Sequence, residues 1–157
     1  MSDQTVYKYG GAKAMVELHA KHMRSFLETW RKAKASGVVF AATDDPDYES
    51  METLLRHVCR AGRGYMTWMC GVLDLPDPGI EEAPETDAIE AEAARYIDHL
   101  LRQWDGPLAE VEEKRFYAPE YPSRWKTSYC VDAMMEHAVM HPIRHEHQLK
   151  KLMSRPR

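Results

Sequence analysis

MMEHAVMHPIRHEHQLKKL, residues 134–152, is the stretch whose periodicity decides the fold. Met134, Ala138, His141, His145, Leu149 and Leu152 recur at steps of three and four, the spacing that collects side chains on one face of an α-helix. A helix beginning between Ser123 and Ser128 and running to about Met153 is expected, with that face turned to a core. Pro142 lies inside it. A proline there deletes the hydrogen bond to the residue 138 carbonyl at about 3 kcal/mol in a regular helix, and a kink would swing His141 relative to His145.

An amphipathic helix needs partners for its apolar face, and three further segments supply them. Residues 12–35 carry Ala12, Val16, His19, Met23, Phe26, Trp30 and Ala33 on one stripe, with Gly37 placed for a C-terminal cap. After an Asp- and Pro-rich loop, Asp47 or Ser50 can cap a second helix bearing Met51, Leu54, Leu55, Val58, Gly62, Tyr65, Met66 and Met69, which DLPDPG (74–79) ends. Thr86 and Asp87 open a third, with Ile89, Ala93, Tyr96, Ile97, Leu100 and Trp104. Residues 106–123 start with helical character and end as loop. Only GVVFAAT (37–43) reads as β, and a lone strand has nothing to pair with. The expectation is all-α: one domain over 1–157, a four-helix bundle with long inter-helix connections whose up-and-down order stays open.

Composition narrows the function. A net charge of −4 argues against nucleic acid, whose phosphates require a basic surface. No run approaches the ~18 apolar residues of a membrane span, and the opening MSDQTVYKYGG lacks the charged-then-apolar order of a secretory signal, so a cytoplasmic protein is expected. Cys59, Cys70 and Cys130, an odd number without CxxC spacing, read as reduced thiols. The unusual component is histidine, eight in 157 residues.

His137, His141 and His145 follow one another at single turns, within about 80° of arc on the face that also carries Met134 and Leu149. One buried histidine usually means a hydrogen-bonded core residue. Several in register each need a partner, and one divalent metal satisfies several ring nitrogens together. Histidines at i and i+4 bind side by side, so a third ligand must come from a facing helix. His57, on the flank of the second helix's apolar arc, is the leading candidate; His19 is the alternative, or a hydrogen-bonder near the site. His137 and Gln148 are further candidates to support the ligands from behind, and Cys130 is expected on the same inner face. His22, His99 and His147 fall off the stripes and read as solvent-facing.

The spacing excludes several chemistries. No histidine has Glu three residues before it, as di-iron carboxylate bundles require, and HExxH is absent. A Gly-rich phosphate loop and a GxSxG elbow are also missing.

LLRHVCRA, with His57 early in the second helix, and HPIRHEHQ, with His141, His145 and Gln148 on the last, resemble the DinB-like superfamily of small helical metalloproteins, which includes thiol-dependent S-transferases. The resemblance covers nearly the whole chain. Glu146 and His147 replace the common Arg-Gly of that motif, and Pro142 follows the first ligand. The resemblance implies a trihistidine site, His57, His141 and His145, for Zn²⁺ or Ni²⁺, with Fe²⁺ and Mn²⁺ as alternatives. It further implies a metal-dependent transferase or hydrolase that activates a low-molecular-weight thiol or water against a small-molecule substrate, and a homodimer. A non-catalytic metal-binding or stress-associated bundle is the alternative. Tyr117, Tyr121, Trp125 and Trp68 are expected to wall the substrate's entry.

Overall fold

In the computed structural model, residues 4–156 are described; residues 1–3, within the stretch read above for a secretory signal, and Arg157 lie outside them. Four long helices form where the stripes predict them: α1 (Gly10–Ala35), α2 (Met51–Val72), α3 (Ile89–Trp104) and α5 (Val131–Met153), with a short α4 (Lys114–Tyr117) before the last. A 3₁₀ turn, Pro46–Tyr48, precedes α2, and a small antiparallel hairpin, β1 (Tyr121–Pro122) with β2 (Ser128–Tyr129), precedes α5. The fold is mostly helical, and among the described residues no helix is long and apolar enough to cross a membrane.

Local chemistry fixes the ends. Gly37 adopts φ 76°, while its N–H bonds the Lys34 carbonyl and that of Val38 the Ala33 carbonyl, which closes α1 in a Schellman motif. Ser50, not Asp47, caps α2, its hydroxyl accepting the Thr53 N–H at 3.0 Å. That leaves Asp47 free for another task. α3 starts after Ala88 without a side-chain cap, so neither Thr86 nor Asp87 plays that part. GVVFAAT forms no strand; Phe40 instead packs edge-on against Tyr48.

The last helix begins later than its stripe suggests. Pro122, which has no N–H, and the Ser123 turn divert the chain: the Ser123 hydroxyl donates to the Thr127 carbonyl and accepts the Trp125 N–H, and Lys126 takes φ 63°. Cys130 therefore stands at the N-cap of α5, half-buried, rather than on its inner face, while Cys59 and Cys70 are buried and free. α5 runs on through Pro142, which is buried.

α1 packs most extensively on α5, and α2 lies between α3 and α5, with one hydrophobic cluster shared by all four. Trp30, Trp104, Tyr96, Phe26 and Phe116 are its largest fully buried side chains. Two buried indoles are tied to backbone, Trp30 Nε1 to the Met51 carbonyl at 2.7 Å and Trp104 Nε1 to the Gly62 carbonyl at 3.0 Å, so the core is pinned at α1–α2 and at α2–α3. At Gly62 an added Cβ would meet the Leu100 side chain at 3.1 Å, which is how α2 and α3 approach closely there.

Candidate metal centre

Because α2 and α5 are neighbours, the second turn of one faces the middle of the other. The stripe places His57 on the flank of α2 and His141 and His145 one turn apart on α5, and packing brings a ligand atom from each within 4.8 Å of the other two. The Nε2 atoms of His57 and His141 stand 3.0 Å apart. Nitrogens around one tetrahedral zinc, each ~2.1 Å from it, are separated by roughly 3.4 Å, so the trio fits a divalent ion with small ring adjustments.

The atoms behind the rings decide which nitrogens face inward. Asp47 Oδ2 lies 3.2 Å from His57 Nδ1, and a carboxylate so placed favours the proton on that nitrogen and a lone pair on Nε2. Gln148 Oε1 and the Tyr48 hydroxyl lie 3.4 and 3.3 Å from His145 Nδ1, so Nε2 of that ring is left for the trio. Asp47 and Tyr48 both come from the 3₁₀ turn, which packs against α2. Two imidazole lone pairs at 3.0 Å repel unless a proton or a cation lies between them, which is the observation that makes the donor set suit a metal.

Burial keeps the rings neutral, the form a metal requires. His141 is driven down to about 2 by burial first, then by His145 and His57. His145 is lowered to about 4, by burial and then His57. His57 is also lowered, burial outweighing the opposing pull of Asp47 and Asp45.

The other expected residues divide. Gln148 lies against the trio, its Oε1 3.4 Å from His145 Nδ1. His137 is half-buried among aromatics, stacked on Trp125 at 5.1 Å and edge-on to Tyr129, with Tyr65 touching both it and His141; it buttresses the site without joining the trio. His19 stands apart. Its ring stacks on Trp104 at 3.6 Å and 11°; among the described residues neither nitrogen has a hydrogen-bond partner, and no ring contact or hydrogen bond links it to the trio. It is neither a third ligand nor a support. His147 is exposed as expected and His22 is half-buried, whereas His99 Nε2 accepts the Glu81 N–H at 2.9 Å and so anchors the α2–α3 connection.

The sequence reading missed three residues. Asp47 was expected only as a cap and Tyr48 not at all; a clue was their position a few residues before the helix that carries His57. Glu146, a departure from the resembled motif, is buried between α1 and α5, accepting from Ser25 Oγ at 2.7 Å and Thr29 Oγ1 at 2.8 Å and pairing with Lys150 at 3.0 Å. Burial alone would raise its carboxyl, but these bonds outweigh it and hold the group below the usual range.

Two adjoining cavities open along α2, the larger of them beside His57. The larger, about 540 Å³, is lined by Asp47, His57 and four arginines among others; the smaller, about 250 Å³, is apolar and bounded by Tyr65, Trp68, Trp125 and Met134. Trp68 and Trp125 thus wall the apolar cavity, with Tyr121 edge-on to Trp68. Tyr117 does not: its hydroxyl bonds Tyr9 and Glu113, away from both cavities. Comparison of the chain with models of known protein families, with curated proteins and with solved structures finds no match in any of the three.

Proposed function

We propose that this helical bundle is of the DinB-like kind and binds one divalent metal, Zn²⁺ or Ni²⁺ ahead of Fe²⁺ or Mn²⁺, through His57, His141 and His145. In this reading it is a transferase or hydrolase that activates a low-molecular-weight thiol or water against a small electrophile. The observation that carries it is the 3.0 Å approach of His57 and His141 Nε2, with the Asp47 carboxylate 3.2 Å from His57 Nδ1. His57, His141 and His145 would hold such an ion with positions left open, and it would supply acidification of a bound thiol or water toward neutral pH. Asp47, Gln148 and Tyr48 favour the donor tautomers of His57 and His145, Tyr65 packs edge-on against His141, and burial keeps the three rings unprotonated. The His57 edge of the trio borders the larger cavity, the side from which a second substrate reaches it.

Metal content of the purified wild type against His141→Ala, followed by turnover of a panel of electrophiles with and without added thiols, tests the reading. Stoichiometric metal in the wild type only, with thiol-dependent or hydrolytic turnover, is expected. Equal and negligible metal in both would sink it, and bound metal without any turnover would leave a metal-sequestering bundle in its place.

A further inference from the structure

The larger cavity carries a charge pattern that the histidine trio does not use. Arg56, Arg60, Arg63 and Arg124 line it against only Asp47 and Glu82. Arg56 is occupied by the Pro84 carbonyl and Glu85, and Arg63 by the Ile80 carbonyl. Arg60, from α2, and Arg124, from the hairpin, have no hydrogen-bond or carboxylate partner among the described residues; the Arg124 guanidinium lies over the Trp125 ring at 5.0 Å. On the acidic side, Asp47 is turned to His57, and Glu82 is exposed. A chain of net charge −4 therefore concentrates unpaired positive charge in a cavity whose volume, about 540 Å³, suits a small molecule.

The smaller cavity adjoins it. Ala61, Arg63, Gly64, Arg124 and Trp125 line both, so the Arg124–Trp125 stack is a shared wall between a basic chamber and an apolar one. Planar guanidinium groups bind carboxylate and phosphate oxygens through paired N–H donors, and aromatic walls take flat or aliphatic groups.

We infer that the two cavities receive one small molecule with an oxyanion, carboxylate or phosphate, between Arg60 and Arg124 and a compact apolar arm between Tyr65, Trp68 and Trp125. That the end facing His57 is the reacting end rests on the function proposed above; the oxyanion and apolar subsites do not.

Calorimetric titration of the whole protein, metal-free and metal-loaded, with hexanoate, butyl phosphate, acetate and 1-hexanol tests the assignment. Hexanoate or butyl phosphate should bind the metal-free protein, the tighter of the two naming the headgroup, with acetate and hexanol at least about tenfold weaker. Arg60→Gln and Arg124→Gln, both at exposed positions, should each weaken that binding about tenfold while the thermal midpoint stays put. Arginine-dependent binding by a protein that takes up no metal would uphold this inference while defeating the metal reading. No binding of any probe, hexanol binding as tightly as hexanoate, or anion binding that survives the double arginine substitution would overturn it.

Discussion

His141 and His19 are both buried, 8% and 0% exposed, and both sit squarely on the apolar stripe of a long helix, yet their surroundings share almost nothing. His141 has a second imidazole nitrogen at 3.0 Å and a third ring one turn away. His19 lies flat on the Trp104 indole, both nitrogens unpartnered among the described residues. Burial of a histidine is therefore not a ligand signal. What distinguishes the two is convergence: His141 faces a helix that presents its own histidine, and that histidine is held from behind by a carboxylate. His19 faces a tryptophan, where its ring contributes stacking area and its nitrogens only a desolvation cost.

The sharpest way to break the comparison is to exchange the fates of the two residues. His141→Ala should abolish tight metal binding in competition against a chromophoric chelator, whereas His19→Phe should leave it unchanged; equal losses would show that the contrast is false.

The second test is acid stability. Burial, and secondarily His22, lowers His19 to about 3, so below the ordinary histidine value of about 6.5 the unfolded chain takes up a proton that the native chain refuses. The stability attached to a neutral His19 is thus complete above about pH 6.5 and is lost as pH falls toward 3. His19→Phe should unfold later than wild type in urea at acid pH, the gap widening by roughly 1.4 kcal/mol per pH unit across that window. A pH-independent difference would mean that the ring is not buried neutral.

Asp47→Asn tests the carboxylate behind His57, and on the proposed metal reading a loss of about 10- to 100-fold in metal affinity with an unchanged thermal midpoint of the metal-free protein is expected. The smallest effect concerns Glu146, one residue from His145 but turned the opposite way. Glu146→Gln should cost about 1 kcal/mol in denaturant unfolding through weakened bonds to Ser25 and Thr29, and should leave metal affinity as it was. A large drop in metal affinity would instead couple the α1–α5 seam to the trio.

Much of this was legible in particular residues. Every long helix lies on its stripe, because a period near 3.6 has no other use in a chain with so few alternating segments, and Gly37 announced the end of α1. His57, His141, His145 and Gln148 were readable because a helix converts spacing into direction. The start of α5 was misread because the hairpin before it is set by Pro122 and the Ser123 turn, whose hydrogen bonds leave no periodic trace. Asp47 and Tyr48 escaped because a loop residue's direction depends on how its turn packs, here on α2, and Glu146 because a carboxylate between helices is marked only by the hydroxyls of Ser25 and Thr29 on another element.

Sequence alone determined the helices and the faces they present, since both follow from local periodicity and from caps a few residues long. Tertiary structure decided which faces meet. It chose His57 over His19 because α2 packs against α5 at that height while His19 meets α3 at Trp104, and it set Asp47 behind His57 and opened a basic cavity beside it. Those are contacts between residues far apart in the chain, and only the packing of one core fixes them.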